Sequence, residues 1–218
     1  MLTEYLHQFR NTVLRNIDIR INPPTFYSYT YTEPFFHYKP LEYIPNMHIQ
    51  GYFQSEKYFD SSLVRNMFKI DNETQDFLKE KYDEILELPG ITSINVRRGD
   101  YLKVQDHLPV CSLNYYNKAI EIIGKDKPYL ITSDDLEWCR QNFKGDKFYF
   151  AECTNPTYDL YLPSMCQNHI ISNSTFSWWG AWLNNSEDKK VIAPLRWFGP
   201  KYAEHNTQDL LPEKWIKI

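Results

Sequence analysis

The chain has 218 residues, a net charge of −4, and 42% hydrophobic and 17% aromatic content. That length suits one large α/β domain, or one and a half ordinary ones, and buries roughly 70% of its unfolded surface. The acidic balance argues against non-specific nucleic-acid binding, and no apolar run approaches the about 18 residues of a membrane span.

The seven glycines are spread too widely for a G-x-G-x-x-G or G-x-x-x-x-G-K-[ST] phosphate loop, so any nucleotide is held by other means. The opening Met1-Leu2-Thr3-Glu4-Tyr5 lacks the basic and apolar stretches of a secretory signal. Cys111, Cys139, Cys153 and Cys166 form no C-x-x-C pair and read as reduced thiols of a cytoplasmic protein.

In chain order, helical spacing is expected over 3–14 and a strand over 17–21. Pro23, Pro24, Pro34, Pro40 and Pro45 then exclude a continuous helix or central strand and indicate a packed, irregular, aromatic segment. A strand is expected over 47–53 and a helix over 72–88, with Asn72 as its cap, Gln75 three residues on and Gly90 beyond its end. From Gly90 the pattern becomes rhythmic. Strands over 91–96, 128–132, 147–150, 169–172 and 189–193 alternate with helices over 112–123, 135–143, 157–166 and 177–184. That alternation predicts a mostly parallel sheet covered on both faces, followed by a wrapping tail with Pro200 and Pro212. The expected division falls near residue 90, between a region 1–89 and a Rossmann-like domain 90–218.

Three polar clusters follow three of these strands. They are Arg97-Arg98-Gly99-Asp100, Ser133-Asp134-Asp135 and Asn173-Ser174-Thr175-Phe176-Ser177. In a parallel sheet all three lie along the carboxyl edge, where open α/β folds bind ligands. Adjacent arginines suit a phosphate or diphosphate. The hydroxyls of Ser174 and Thr175, with the N–H groups of the helix start, suit the same anion. Asp134 or Asp135 suits a base N–H and exocyclic amine, as guanine presents. Other readings stand beside these. The arginines can pair with surface carboxylates, Ser133-Asp134-Asp135 can cap the next helix or take a divalent metal, and Asn173-Ser174-Thr175 can be a plain cap. Trp178, Trp179 and Trp182 have core-like helical spacing but also suit a sugar platform.

The residues also carry a family resemblance. Residues 93–101, Ser-Ile-Asn-Val-Arg-Arg-Gly-Asp-Tyr, resemble the H-x-R-R-G-D motif of the α-1,2-fucosyltransferases, glycosyltransferase family 11. Residues 130–138 resemble the family's second motif, and 170–183, with Trp178-Trp179-Gly180-Ala181-Trp182, its third. Residues 51–59, Gly-Tyr-Phe-Gln-Ser-Glu-Lys-Tyr-Phe, resemble a segment upstream.

This resemblance implies a GT-B-like transferase that uses GDP-fucose as donor, inverts the anomeric carbon and needs no metal or other cofactor. Its acceptor would be a galactose-containing glycan, at the galactose 2-OH. Arg97 would contact the donor diphosphate, and Asp100 is the candidate base or a group that fixes the arginines. Asn95, Arg98, Asp134, Asp135, Asn173, Ser174, Thr175 and Phe176 would complete the donor site.

The chain departs from the family in two ways. Asn95 stands where the family has histidine, and asparagine neither carries charge nor shuttles a proton. The family's G-x-x-G-N-Q loop has no counterpart, so region 1–89 reads as a truncated acceptor half. A non-catalytic GDP-sugar or glycan-binding remnant is the alternative to an enzyme. A third reading is a chain completed by a partner chain or a homo-oligomer.

Overall fold

The computed structural model describes Val13, Arg15, and residues 26–34, 36–152 and 155–218. Apart from Val13, the helix expected over 3–14 and the strand over 17–21 lie outside the described residues, as does Cys153. The chain divides into two compact units, one of Met1–Lys69 with Glu204–Glu213 and one of Ile70–Ala203 with Lys214–Ile218.

In the first unit, β1 (Tyr29–Thr32) pairs in parallel with β2 (Met47–Gln50), Tyr29 opposite Met47 and Thr32 opposite Gln50. The buried Glu33 continues the ladder by donating its N–H to the Gln50 carbonyl at 2.8 Å. One of its carboxylate oxygens accepts the N–H groups of Tyr52 and Phe53 at 2.7 and 2.8 Å. Gly51 packs so closely on Glu33 that no side chain fits there. A short helix, α1 (Ser61–Met67), follows, with Asp60 capping it by accepting the Leu63 N–H at 2.7 Å. Asp209, from the returning tail, accepts the Tyr38 N–H at 3.0 Å and pairs with Lys57 at 2.5 Å.

The second unit begins at Ile70, ahead of the helix that the sequence placed before a division near residue 90. That helix, α2 (Asn72–Leu86), stacks its Phe77 on Tyr158 at 4.5 Å, and its Lys81 donates to the Glu152 carbonyl at 3.0 Å. Its cap is Asp71 rather than Asn72. The Asp71 carboxylate reaches both the N–H and the hydroxyl of Thr74, at 2.8 and 2.9 Å.

The rest of the unit is the expected alternation: β3 (Thr92–Val96), α3 (Leu113–Ile123), β4 (Tyr129–Ser133), α4 (Leu136–Asn142), β5 (Phe148–Phe150), α5 (Pro156–Ser164), β6 (Asn168–Ile170), α6 (Thr175–Leu183) and β7 (Val191–Ala193). A strand not anticipated in the tail, β8 (Ile216–Lys217), pairs with β7. The sheet order is β5-β4-β3-β6-β7-β8 and every pair is parallel. Counted from β3, this is the 3-2-1-4-5-6 order of the doubly wound fold, with its switch point between β3 and β6.

The central strands are buried almost throughout, because helices cover both faces. Helix α3 turns Tyr115, Tyr116, Ala119 and Ile120 into the core at helical spacing. The Tyr115 hydroxyl donates to the carbonyls of Ile171 and Ile192 at 2.6 and 3.1 Å, so this large ring is buried without an orphaned polar group. Trp178 and Trp182 are buried, stacked with 6.0 Å between ring centroids, and Trp178 also meets Trp215 at 5.5 Å. Those two tryptophans are core, not a sugar platform. Cys111, Cys139 and Cys166 are free and buried, and burial pushes their thiols up to about 11, about 11 and about 12.

Candidate active site

The three clusters follow β4, β3 and β6, which are neighbours in the sheet, so they meet along one edge. Between them lies a cavity of about 210 Å³, lined by Asn95, Val96, Arg97, Thr132, Ser133, Asp134, Pro156, Asp159, Ser174 and Phe176. Of the ten candidates from sequence, Asn95, Arg97, Asp134, Ser174 and Phe176 line it. Arg98, Asp100, Asp135, Asn173 and Thr175 stand behind or beside them.

The register explains the first of these. Asn95 lies opposite Thr132. Its amide donates to the Thr132 hydroxyl at 3.2 Å and accepts from the Ser172 hydroxyl at 2.7 Å. Both ends of the amide are therefore oriented by the neighbouring strand ends. Asparagine sits there as a fixed neutral dipole.

The two adjacent arginines behave differently. Arg97 is 38% exposed in its side chain and pairs with Asp100 at 2.8 Å and Asp134 at 3.2 Å. Its guanidinium also lies 5.4 Å from the Tyr101 ring centre. Arg98 is 17% exposed, with its Nε 3.0 Å from Asp135 and its guanidinium 4.1 Å over the Trp138 ring. Such stacking is worth about 0.5–2 kcal/mol. Arg98 is thus held in place, while Arg97 reaches the cavity.

The aspartates divide in the same way. Asp134 accepts the Arg98 N–H with one oxygen, at 2.9 Å, and pairs with Arg97 through the other. Asp135 pairs with Arg98 and caps α4 by accepting the Trp138 N–H at 3.1 Å. The capping and ion-pairing readings of these aspartates both hold: Asp135 does both, and Asp134 pairs with Arg97. A Cβ at Gly99 would lie 2.6 Å from Asp134 Oδ2, so any side chain there displaces this carboxylate.

The third cluster combines a buried tie with a helix start. Asn173 is buried, and its amide donates to the carbonyls of Pro109 and Trp197, both at 2.9 Å. Its carbonyl accepts the Tyr101 hydroxyl at 3.3 Å. This fixes the backbone just before α6. Ser174 is the N-cap residue but makes no side-chain capping bond, whereas the caps of α2, α3, α4 and α5 each accept a first-turn N–H. The start of α6, with about half a positive charge from its dipole, therefore borders the cavity at Ser174 and Phe176.

Asp159 was missed from sequence. It lies in α5, whose start is set by Asn155 accepting the Thr157 N–H at 2.9 Å. No strand-end rule points to it, since it reaches the cavity from the flank of a helix. Among the described residues, no group of three or more His, Cys, Asp or Glu side chains is gathered as a metal site. No helix among them is long and apolar enough to cross a membrane.

A doubly wound sheet with an arginine and a helix start beside a cavity at its switch point has the layout in which open α/β folds hold ligands. The chain belongs to glycosyltransferase family 11, whose model matches residues 7–218. It is 34% identical to the O-antigen biosynthesis glycosyltransferase WbnK of Escherichia coli, over 77% of this chain and 59% of that protein. It is 33% identical to an alpha-1,2-colitosyltransferase of Escherichia coli, over 77% and 61%. To a galactoside 2-alpha-L-fucosyltransferase of Caenorhabditis elegans it is 29% identical, over 77% and 51%. The chain thus spans between about half and three fifths of the length of these relatives. Among solved structures, NodZ alpha-1,6-fucosyltransferase soaked with GDP-fucose aligns at a TM-score of 0.45 and 15% identity, over 63% of this chain and 51% of that one. Fucosyltransferase NodZ from Bradyrhizobium aligns at 0.43 and 15%, over 62% and 50%.

Proposed function

We propose that the chain transfers fucose from GDP-fucose to a glycan hydroxyl, the 2-OH of a galactose residue, with inversion at the anomeric carbon. One observation carries this reading beyond family membership: Arg97 after β3 and Ser174 at the start of α6 line a single cavity at the switch point. Cleaving the sugar–phosphate bond leaves growing negative charge on the diphosphate. A preorganised guanidinium and a helix N-terminus stabilise that charge, and the reading calls on no metal.

Under this reading Arg97 meets the diphosphate, with Asp100 and Asp134 setting its direction. The guanine edge is read by the cavity-lining carboxylates, Asp134 or Asp159, and Phe176 lies against the base. Asp135 and Arg98 act as supports. Asn95 orients the donor through its remaining amide proton without transferring one. Relatives named as galactoside 2-alpha-L-fucosyltransferases support the choice of acceptor.

The second reading, a non-catalytic GDP-sugar or glycan-binding remnant, draws on Asn95 in place of the family histidine. Incubation with GDP-fucose and a galactose-terminated oligosaccharide separates the two. Product and GDP formed in the presence of EDTA support the transferase. Tight GDP binding without turnover supports the remnant, and neither binding nor turnover refutes both.

A further inference from the structure

Of the two adjacent arginines, only Arg97 lines the cavity. Its contact with Asp100 is a weak guide to direction, since Asp100 is 64% exposed, whereas Asp134 is 25% exposed. The firmer anchoring is one residue on. Arg98 is held at three points: its N–H by Asp134 at 2.9 Å, its Nε by Asp135 at 3.0 Å, and its guanidinium face by Trp138 at 4.1 Å.

These contacts close a ring. Asp135 holds Arg98 with one oxygen and takes the N–H of Trp138 with the other, at 3.1 Å. The tryptophan that stacks on the arginine is therefore fixed by the same carboxylate that pairs with it. Trp138 is seated further by an edge contact with Phe143 at 6.1 Å. Asp134 then links this ring to the cavity, because its second oxygen meets Arg97.

We infer that Trp138 is a positioning residue for anion capture: its ring face holds Arg98 out of the cavity, and through Asp134 this sets the direction of Arg97. Without that face, Arg98 keeps a single side-chain anchor. It then competes with Arg97 for Asp134, and the backbone at the end of β3 loosens. A lysine at 98 does not substitute, because the site uses a planar cation that stacks and donates in its own plane. The choice of GDP as probe rests on the reading given above; the geometry of the ring does not.

The test uses Trp138→Leu, which removes the face, and Trp138→Phe, which keeps a smaller one. In the full chain, Trp138→Leu is expected to weaken GDP binding about tenfold, with Trp138→Phe between it and wild type and thermal unfolding still cooperative. In an Arg97→Ala background, Trp138→Leu is expected to cost no further affinity, because the effect runs through Arg97. An equal loss in both backgrounds overturns the inference and leaves Trp138 as packing alone. A ligand-free readout accompanies this. In nitrogen-15 spectra of the arginine side chains, Trp138→Leu is expected to shift the Nε–H signal of Arg97, and an unmoved signal also overturns the inference. If wild type takes up no GDP, the functional reading fails, and the Arg97 signal still decides the role of Trp138.

Discussion

Arg97 Nη1 lies 3.2 Å from Asp134 Oδ2, and the Cβ that Gly99 lacks would lie 2.6 Å from the same oxygen. A methyl at 99 therefore pushes the carboxylate that orients the arginine, and the end of a side chain yields more readily than backbone. Gly99→Ala is expected to leave the circular dichroism spectrum intact and to lower GDP affinity about tenfold, the worth of one charge-assisted contact. Titration calorimetry reads this, and an unchanged affinity would mean that Asp134 does not govern Arg97.

Removing the cation itself has a larger effect. Arg97→Ala is expected to lose about 1.5–3 kcal/mol of GDP binding, or roughly tenfold to a hundredfold. Arg97→Lys keeps the charge without the fork and should fall between. Since Arg97 is partly exposed, affinity in wild type should weaken with added salt, and the slope should shrink in Arg97→Ala. Equal slopes in the two proteins count against the assignment.

Asn173 acts behind the site. Asn173→Leu leaves the carbonyls of Pro109 and Trp197 without their amide partner in a buried place. Each such loss costs about 1–3 kcal/mol, so a fall of about 2–5 kcal/mol in unfolding free energy is expected from denaturant titration. Retention of wild-type stability would show that other donors replace the amide.

His169 gives the fold a pH dependence. It is fully buried in β6, between Ser93 at Nδ1 (2.8 Å) and the Asn184 amide at Nε2 (2.9 Å). Burial, and then the charge of Lys189, pull it down to about 3. In the unfolded chain it titrates near about 6.5. Protons therefore favour the unfolded state between those values, and stability is full above about pH 6.5 and declines as pH falls toward 3. His169→Gln should flatten that part of the profile of unfolding free energy against pH. An unaltered slope in the variant would assign the acid sensitivity elsewhere.

Much of the second unit is legible in the sequence, because its strands and helices announce themselves locally. Apolar β-rich runs end at polar clusters, and Ser112 and Asp135 sit as caps where the pattern changes. Asp71 replaces Asn72 as a cap because two neighbouring polar residues offer the same chemistry, and only the backbone angle chooses between them. The polar clusters lie along one sheet edge, as their positions after the strands imply. What the chain alone does not reveal is the division of labour inside each cluster. Arg97 and Arg98 are adjacent, yet Trp138 and Asp135 capture one and leave the other at the cavity. Asp159 and β8 are invisible for the same reason, since their roles depend on contacts made far along the chain.

The tail gives a further test of packing. Trp215 is buried against Trp178, and the backbone of Ile218 exchanges hydrogen bonds with Ala193 and Leu195 at 3.1 and 2.8 Å. Trp215→Ala is expected to cost about 3–5 kcal/mol, measured by chemical unfolding. A loss below about 1 kcal/mol would mean that the last strand is dispensable.

The path of that tail also changes what a boundary means for this protein. The chain leaves the second unit after Ala203, contributes Glu204–Glu213 to the first, and returns for its last five residues, Lys214–Ile218. Neither unit is a continuous stretch of sequence. No single scission yields either one whole. The β8 edge of the second unit's sheet therefore depends on a segment that rejoins that unit only after ten residues assigned to the first, so a cut within Glu204–Glu213 severs β8 from the rest of its own sheet.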